Sequence, residues 1–211
     1  MVSRWSSNNV LDVMVTDPMS GKTTGLAATA RRALQAIRRS RVPYCVIGAT
    51  ALAVRGLPRM TRDIDLTVTT EHGLAAIEAL KKAGFETLSA DSEGDDPMVI
   101  FRDRKTGVEV DLLIAAGNPE ALAIEEAGRK SVFGTSARVA TLEHLLLLYL
   151  YSNQPRHLGD FASIVQSGRA DLVSAERQLF EMHPEMCPAF RQRVQAALHP
   201  ASSPPKPRHK R

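Results

Sequence analysis

The stretch RMTRDIDLTV, residues 59 to 68, sets two aspartates one residue apart inside an alternating apolar run. Strand side chains alternate between faces, so Asp63, Asp65 and Thr67 share one side and Ile64, Leu66 and Val68 the other. The apolar face demands a core beneath it. Aspartate is a poor strand former, and like charges on one strand face repel. That face is unfavourable unless something positive, such as a metal ion, sits between the carboxylates. A polar strand face open to solvent is the plainer reading.

The surrounding pattern builds a fold to hold this strand. GLAATARRALQAIRRS reads as a helix with Leu26, Ala30, Leu34 and Ile37 on one face and arginines on the other. YCVIGA is a short strand ending at Gly48, and TALAVRG is a helical stretch stopped by Gly56 and Pro58. EHGLAAIEALKKAG carries Leu74, Ile77 and Leu80 at helical spacing, with Gly84 as its stop, and FETLSA follows as a short strand. SEGDDP is a loop. MVIFRD and GVEVDLLIA form a hairpin turned at Gly107, with Glu109, Asp111 and Leu113 on one face of its second strand. After Pro119 the pattern reads as purely helical, over about 119–128, 141–152, 157–167 and 171–198. The expected class is α/β (α+β): a small mixed sheet with flanking helices, then a helical subdomain. The expected boundaries are a loosely ordered 1–24, a core over 25–118, a helical subdomain over 119–200 and a disordered basic tail over 201–211.

Asp63, Asp65 and Asp111 thus lie on strand faces of two separate strands. If the strands are neighbours, the three converge at one sheet edge. Hard divalent cations are held by a few carboxylates together with substrate phosphates, which points to Mg²⁺ or Mn²⁺ and to phosphoryl transfer. IGATA, with Gly48, Ala49 and Thr50, allows a tight turn into a helix whose free N–H groups cradle phosphate, with the Thr50 hydroxyl as a further donor. Arg59 and Arg62 contact phosphate or merely balance local charge. Glu109 is read as facing solvent or pairing with an arginine.

VIGATALAVRGLPRMTRDIDLTV followed by GVEVDLLIA resembles the nucleotidyltransferase superfamily of the DNA polymerase β type. Its signature is a hydrophobic residue, Gly, then Gly or Ser, a spacer, Asp-x-Asp, and a third Asp on a later strand. Here thirteen residues separate Gly48-Ala49 from Asp63. The GA…R-x-T-x-D-I-D-L form is similar to the abortive-infection branch, the AbiEii-like toxins. The likeness runs over roughly residues 27 to 170, into VATLEHLLLLYLYSNQPRHLGDF. It implies that Asp63, Asp65 and Asp111 bind the metal, that Gly48, Ala49, Thr50 and Arg62 hold the nucleotide, and that Asp160 is an accessory residue. It further implies transfer of an NMP from a nucleoside triphosphate to a hydroxyl, on tRNA or other RNA in toxins restrained by a partner antitoxin. Three departures stand out: Ala49 replaces Ser or Gly, Tyr149 the helical lysine, and His157 the first aspartate of the later element. Asp160 is kept, and pairing with Arg156 is its plain reading. These departures leave open a regulator that binds nucleotide, RNA or protein without turnover. A module acting by protein contact alone, or an enzyme acting on a small molecule, also fits these residues.

Other signals exclude more than they add. Gly21-Lys22-Thr23 ends a phosphate-loop pattern, but Thr16 stands where its first glycine belongs. Cys45 and Cys187 lack metal or disulfide spacing. The final SSPPKPRHKR holds four lysines and arginines and no acid, which accounts for the whole net charge of +4. That tail, like the arginine-rich helix, is a solvated segment or an RNA contact. The longest apolar run, LLLLYLY at 145–151, is too short for a bilayer, and no signal pattern opens the chain. A cytoplasmic protein without a membrane partner is expected.

Overall fold

The computed structural model describes residues 25–91, 98–115, 117–152 and 154–200. The expectations for residues 1–24, the SEGDDP loop and the basic tail lie outside these residues. The centre is a seven-stranded mixed sheet: β1 (Tyr44–Val46), β2 (Asp63–Thr69), β3 (Phe85–Asp91), β4 (Met98–Asp103), β5 (Glu109–Ala115), β6 (Gly128–Val132) and β7 (Thr135–Val139). Their spatial order is β3-β4-β5-β2-β1-β7-β6. The helices are α1 (Gly25–Arg39), α2 (Gly48–Val54), α3 (Gly73–Lys82), α4 (Asn118–Glu125), α5 (Leu142–Leu150), α6 (Pro155–Ser167), α7 (Leu172–Met182) and α8 (Cys187–Leu198).

The alternation in β2 does what its pattern requires. Ile64, Leu66 and Val68 are fully buried, while Asp63 and Asp65 stay half-buried at the start of the strand. Burying three such side chains contributes about 1.5–3 kcal/mol each, which is what holds the aspartates against their unfavourable setting. In α1 the expected stripe of Leu26, Ala30, Leu34 and Ile37 faces the core. The β4–β5 hairpin closes at Gly107, whose φ of 75° suits glycine, with its N–H donating to Asp103 O at 2.8 Å. Asp103 is buried there. It accepts from Thr29 Oγ1 at 2.8 Å and pairs with Arg32, which ties α1 to the hairpin end.

The purely helical reading after Pro119 fails over residues 128–139. There β6 and β7 form an antiparallel hairpin, and β7 runs parallel to β1 with Val139 opposite Val46. The turn is the two-residue loop Phe133-Gly134, both at positive φ (47° and 76°). Two-residue hairpin loops of this handedness favour Asn-Gly or Asp-Gly, so phenylalanine in the first place hides the signal. The last helical stretch also divides, into α7 and α8 around a 3₁₀ turn at Pro184–Met186. α5 is capped by Thr141, whose side chain accepts from His144 N, and Leu145, Leu146 and Leu147 of this helix are fully buried. α6 opens on Pro155 in its first turn and packs on α5 and α8.

Candidate active site

β2 and β5 are parallel neighbours in a register that sets Asp65 opposite Asp111 and Asp63 opposite Glu109. One ligand oxygen from each of Asp63, Asp65 and Asp111 lies within 4.8 Å of the others, all on half-buried residues. The expected convergence of the two strands is therefore present. Glu109 turns outward to Arg102 at 2.8 Å.

Three carboxylates this close raise one another's affinity for protons. Asp65 is pushed up from the ordinary 3.8 to about 7, first by burial, then by the charges of Asp63 and Asp111; Arg156 and Arg59 act in opposition. Asp111 is pushed up to about 6 by burial, Asp63 and Glu109, against Arg156. Asp63 is held in place by the Thr61 hydroxyl, which donates to its Oδ1. Carboxylates crowded to the point of retaining protons form an oxygen-only donor set with excess negative charge. That is the setting a hard divalent cation satisfies, and the residues present fit one.

Gly48 is the hinge of the site. It adopts φ +61°, and a Cβ added there would lie 2.6 Å from Asp65 Cγ and 3.0 Å from its Cβ. Only glycine lets the turn from β1 into α2 pass over the Asp65 carboxylate. The same turn is bonded to β2 by Ile47 N donating to Asp65 O at 3.1 Å. Ala49 and Thr50 follow, both buried; the Thr50 hydroxyl is closed off from solvent and has no protein partner among the described residues. The Thr50 hydroxyl therefore does not reach solvent. The turn carries the free backbone N–H groups of a helix start, on residues that are themselves buried.

Arg62 is exposed and makes no ion pair or hydrogen bond among the described residues. Arg59 instead donates from Nε to Asp160, 2.9 Å from each carboxylate oxygen, so Asp160 is paired with Arg59 and not with Arg156. Beside them Tyr149 is buried, its hydroxyl lacks a partner among the described residues, and its proton is held more tightly than usual by burial and by the charges of Asp160 and Asp65. His157 stacks on the Tyr149 ring at 4.9 Å, and burial together with Arg156 and Arg59 pushes it down to about 4. A neutral aromatic pair therefore occupies the place where the resemblance expects a lysine and an aspartate. Sequence reading offered Arg156 only as a partner for Asp160 and missed its place near Asp65 and Asp111. It lies in the first turn of α6, 91 residues after Asp65 and 45 after Asp111, and no local pattern marks it.

Neither a protein-family model nor a curated protein matches this chain. Solved structures do. The antibiotic-resistance factor ANT(2'')-Ia in solution superposes with a TM-score of 0.53 at 19% identity, over 82% of this chain and 95% of its own. The crystal structure of ANT(2'')-Ia in complex with adenylyl-2''-tobramycin gives 0.52 at 19%, over 79% and 97%. The lincosamide antibiotic adenylyltransferase LnuA, lincomycin-bound, gives 0.46 at 15%, over 65% and 94%. The chain shares the fold of ANT(2'')-Ia. Among the described residues no helix is long and apolar enough to cross a membrane.

Proposed function

We propose that this protein is a metal-dependent nucleotidyltransferase that moves an NMP from a nucleoside triphosphate to a hydroxyl acceptor. The observation that carries this reading is the parallel register of β2 and β5, which brings Asp63, Asp65 and Asp111 within 4.8 Å of one another at one sheet edge. These three hold Mg²⁺ or Mn²⁺, which when bound neutralises charge developing on the attacking and leaving oxygens. The backbone N–H groups of Gly48, Ala49 and Thr50 grip the triphosphate, and exposed Arg62 adds a cation to it. Asp111, at the partly open edge, accepts the proton of the acceptor hydroxyl. Asp160 is accessory, because it fixes the Arg59 guanidinium beside the carboxylates. In outline, the acceptor oxygen bonds to the α-phosphorus, the α–β bridging bond breaks, and pyrophosphate leaves.

Two acceptor classes have support. The AbiEii-like pattern of residues 48–66 favours RNA, tRNA above all, in a toxin held by an antitoxin. The likeness to ANT(2'')-Ia, which extends over 95–97% of that chain, favours a small polyhydroxylated molecule. A second reading, a nucleotide-binding regulator without turnover, is favoured by one observation: buried, uncharged Tyr149 where a lysine is expected.

Purified protein with Mg²⁺ or Mn²⁺, each labelled nucleoside triphosphate, and either total tRNA or an aminoglycoside tests all three. The Asp63→Ala/Asp65→Ala variant is the control. Label transferred by the wild type alone establishes the enzyme and its acceptor. Nucleotide binding without label transfer or pyrophosphate release, for either acceptor, assigns the regulator.

A further inference from the structure

At the other end of β1 lies a cavity of about 480 Å³ that the carboxylate site does not use. It is walled by Arg38 and Arg41 where α1 ends, by Tyr44 on β1, and by Arg129 and Arg138 on the β6–β7 hairpin. Tyr44 pairs with Val68, three residues beyond Asp65 along β2, which separates the cavity from the aspartates.

Three features set this arginine group apart from an ordinary solvated face. Arg129 and Arg138 stand directly opposite each other across the β6–β7 ladder. Like charges in that position destabilise a hairpin. Arg41 adopts φ 60°, a conformation in which a non-glycine residue costs roughly 1–2 kcal/mol, at a helix end where glycine is the usual solution. None of the four arginines has an ion pair among the described residues. Among those residues Glu125 is the one carboxylate in the wall. Arg138 spends part of its guanidinium on the carbonyls of Ile124 and Glu125 at the end of α4, both at 2.9 Å, which fixes its position. Four cations lining one cavity, a local cost in repulsion and a lining that also includes Pro43, Tyr44 and Ile124 make a pocket suited to a ligand with several negative charges and an apolar part. The volume falls in the range of small-molecule sites.

We propose that this cavity binds a multiply phosphorylated small molecule of about nucleotide size, at a site separate from the aspartates. The assignment does not rest on nucleotidyl transfer. Its test is calorimetric titration of inorganic pyrophosphate and of ADP into the full chain in EDTA. The variants are Arg38→Gln/Arg129→Gln and Asp63→Ala/Asp65→Ala. The wild type and the aspartate variant bind alike, and added salt weakens both. The arginine variant binds at least about tenfold more weakly, as expected for loss of two charge-assisted contacts. Its thermal midpoint without ligand equals or exceeds that of the wild type, because the Arg129–Arg138 repulsion is relieved; weak binding is then not misfolding. Equal affinity in the arginine variant, loss in the aspartate variant, or no binding of either probe at millimolar concentration overturns the proposal. A short RNA oligonucleotide that binds through these arginines while pyrophosphate and ADP do not also overturns it, in favour of an RNA surface.

Discussion

Gly48→Ala is the sharpest probe of the carboxylate site, because it adds one methyl group and removes nothing. At φ +61° an alanine costs roughly 1–2 kcal/mol more than glycine. The new Cβ would stand 2.6 Å from Asp65 Cγ, so the carboxylate has to leave its rotamer, at about 0.5–1.5 kcal/mol. Together these lower stability by roughly 1.5–3.5 kcal/mol, a fall of about 3–14 °C in thermal midpoint for a chain of this size. The consequence for binding is separable. Asp65 is displaced from Asp63 and Asp111, and Mn²⁺ affinity drops by about 10–100-fold, the usual effect of misplacing a ligand through its neighbour. Thermal melts in EDTA and Mn²⁺ titration followed by electron paramagnetic resonance give the two numbers. A variant that melts within about a degree of the wild type and binds Mn²⁺ equally well refutes the claim that glycine is required for Asp65.

The remaining predictions concern charge and packing around the same site. Asp65 and Asp111 are raised carboxyls, so their contribution to stability is complete below about pH 4 and is lost as pH rises through the window to about 7 for Asp65 and 6 for Asp111. Metal-free protein therefore melts at lower temperature at pH 8 than at pH 5, and Mg²⁺ restores most of the difference. Asp65→Asn raises stability at pH 8 by about 1–4 kcal/mol in EDTA, raises it by less at pH 5, and abolishes label transfer; calorimetry at both pH values checks the sign. Tyr149→Phe leaves the denaturation midpoint unchanged or raises stability by about 1 kcal/mol, since the hydroxyl it removes is buried without a partner among the described residues. Arg59→Ala strands the buried Asp160 carboxylate and lowers stability by about 1–3 kcal/mol, a loss that Asp160→Asn in the same chain largely recovers; chemical denaturation of the single and double variants measures both.

Much of this site is legible in the sequence because β-strands have a period of two. The alternation of DIDLTVT puts both aspartates on one face, and the same period in GVEVDLLIA puts Asp111 with Glu109. That the two strands are neighbours follows from no local pattern; it is a matter of sheet order, which the core decides. The β6–β7 hairpin escapes notice for a different reason: its exposed positions carry Arg129, Lys130 and Ser131, which weaken the apolar alternation, and Phe133 disguises the turn. Thr50 reads as a phosphate ligand from its place after Gly48, but as the third residue of α2 it is buried. The Arg59–Asp160 pair spans about 100 residues of sequence, a separation at which only tertiary packing brings side chains together.

The parallel pairing of β2 with β5 also has a kinetic meaning. Antiparallel strands can pair across a tight turn, but Asp65 and Asp111 meet across 45 intervening residues that carry α3, β3 and β4. Contacts of such sequence separation form slowly, because loop closure precedes any reward for it. A carboxylate cluster that depends on this pairing is expected to form late, with its repulsion felt only then. A divalent ion in a refolding experiment then acts as a reporter on the last step: it slows unfolding and leaves the folding rate almost untouched. The three carboxylates come together only in molecules in which β2 and β5 have paired.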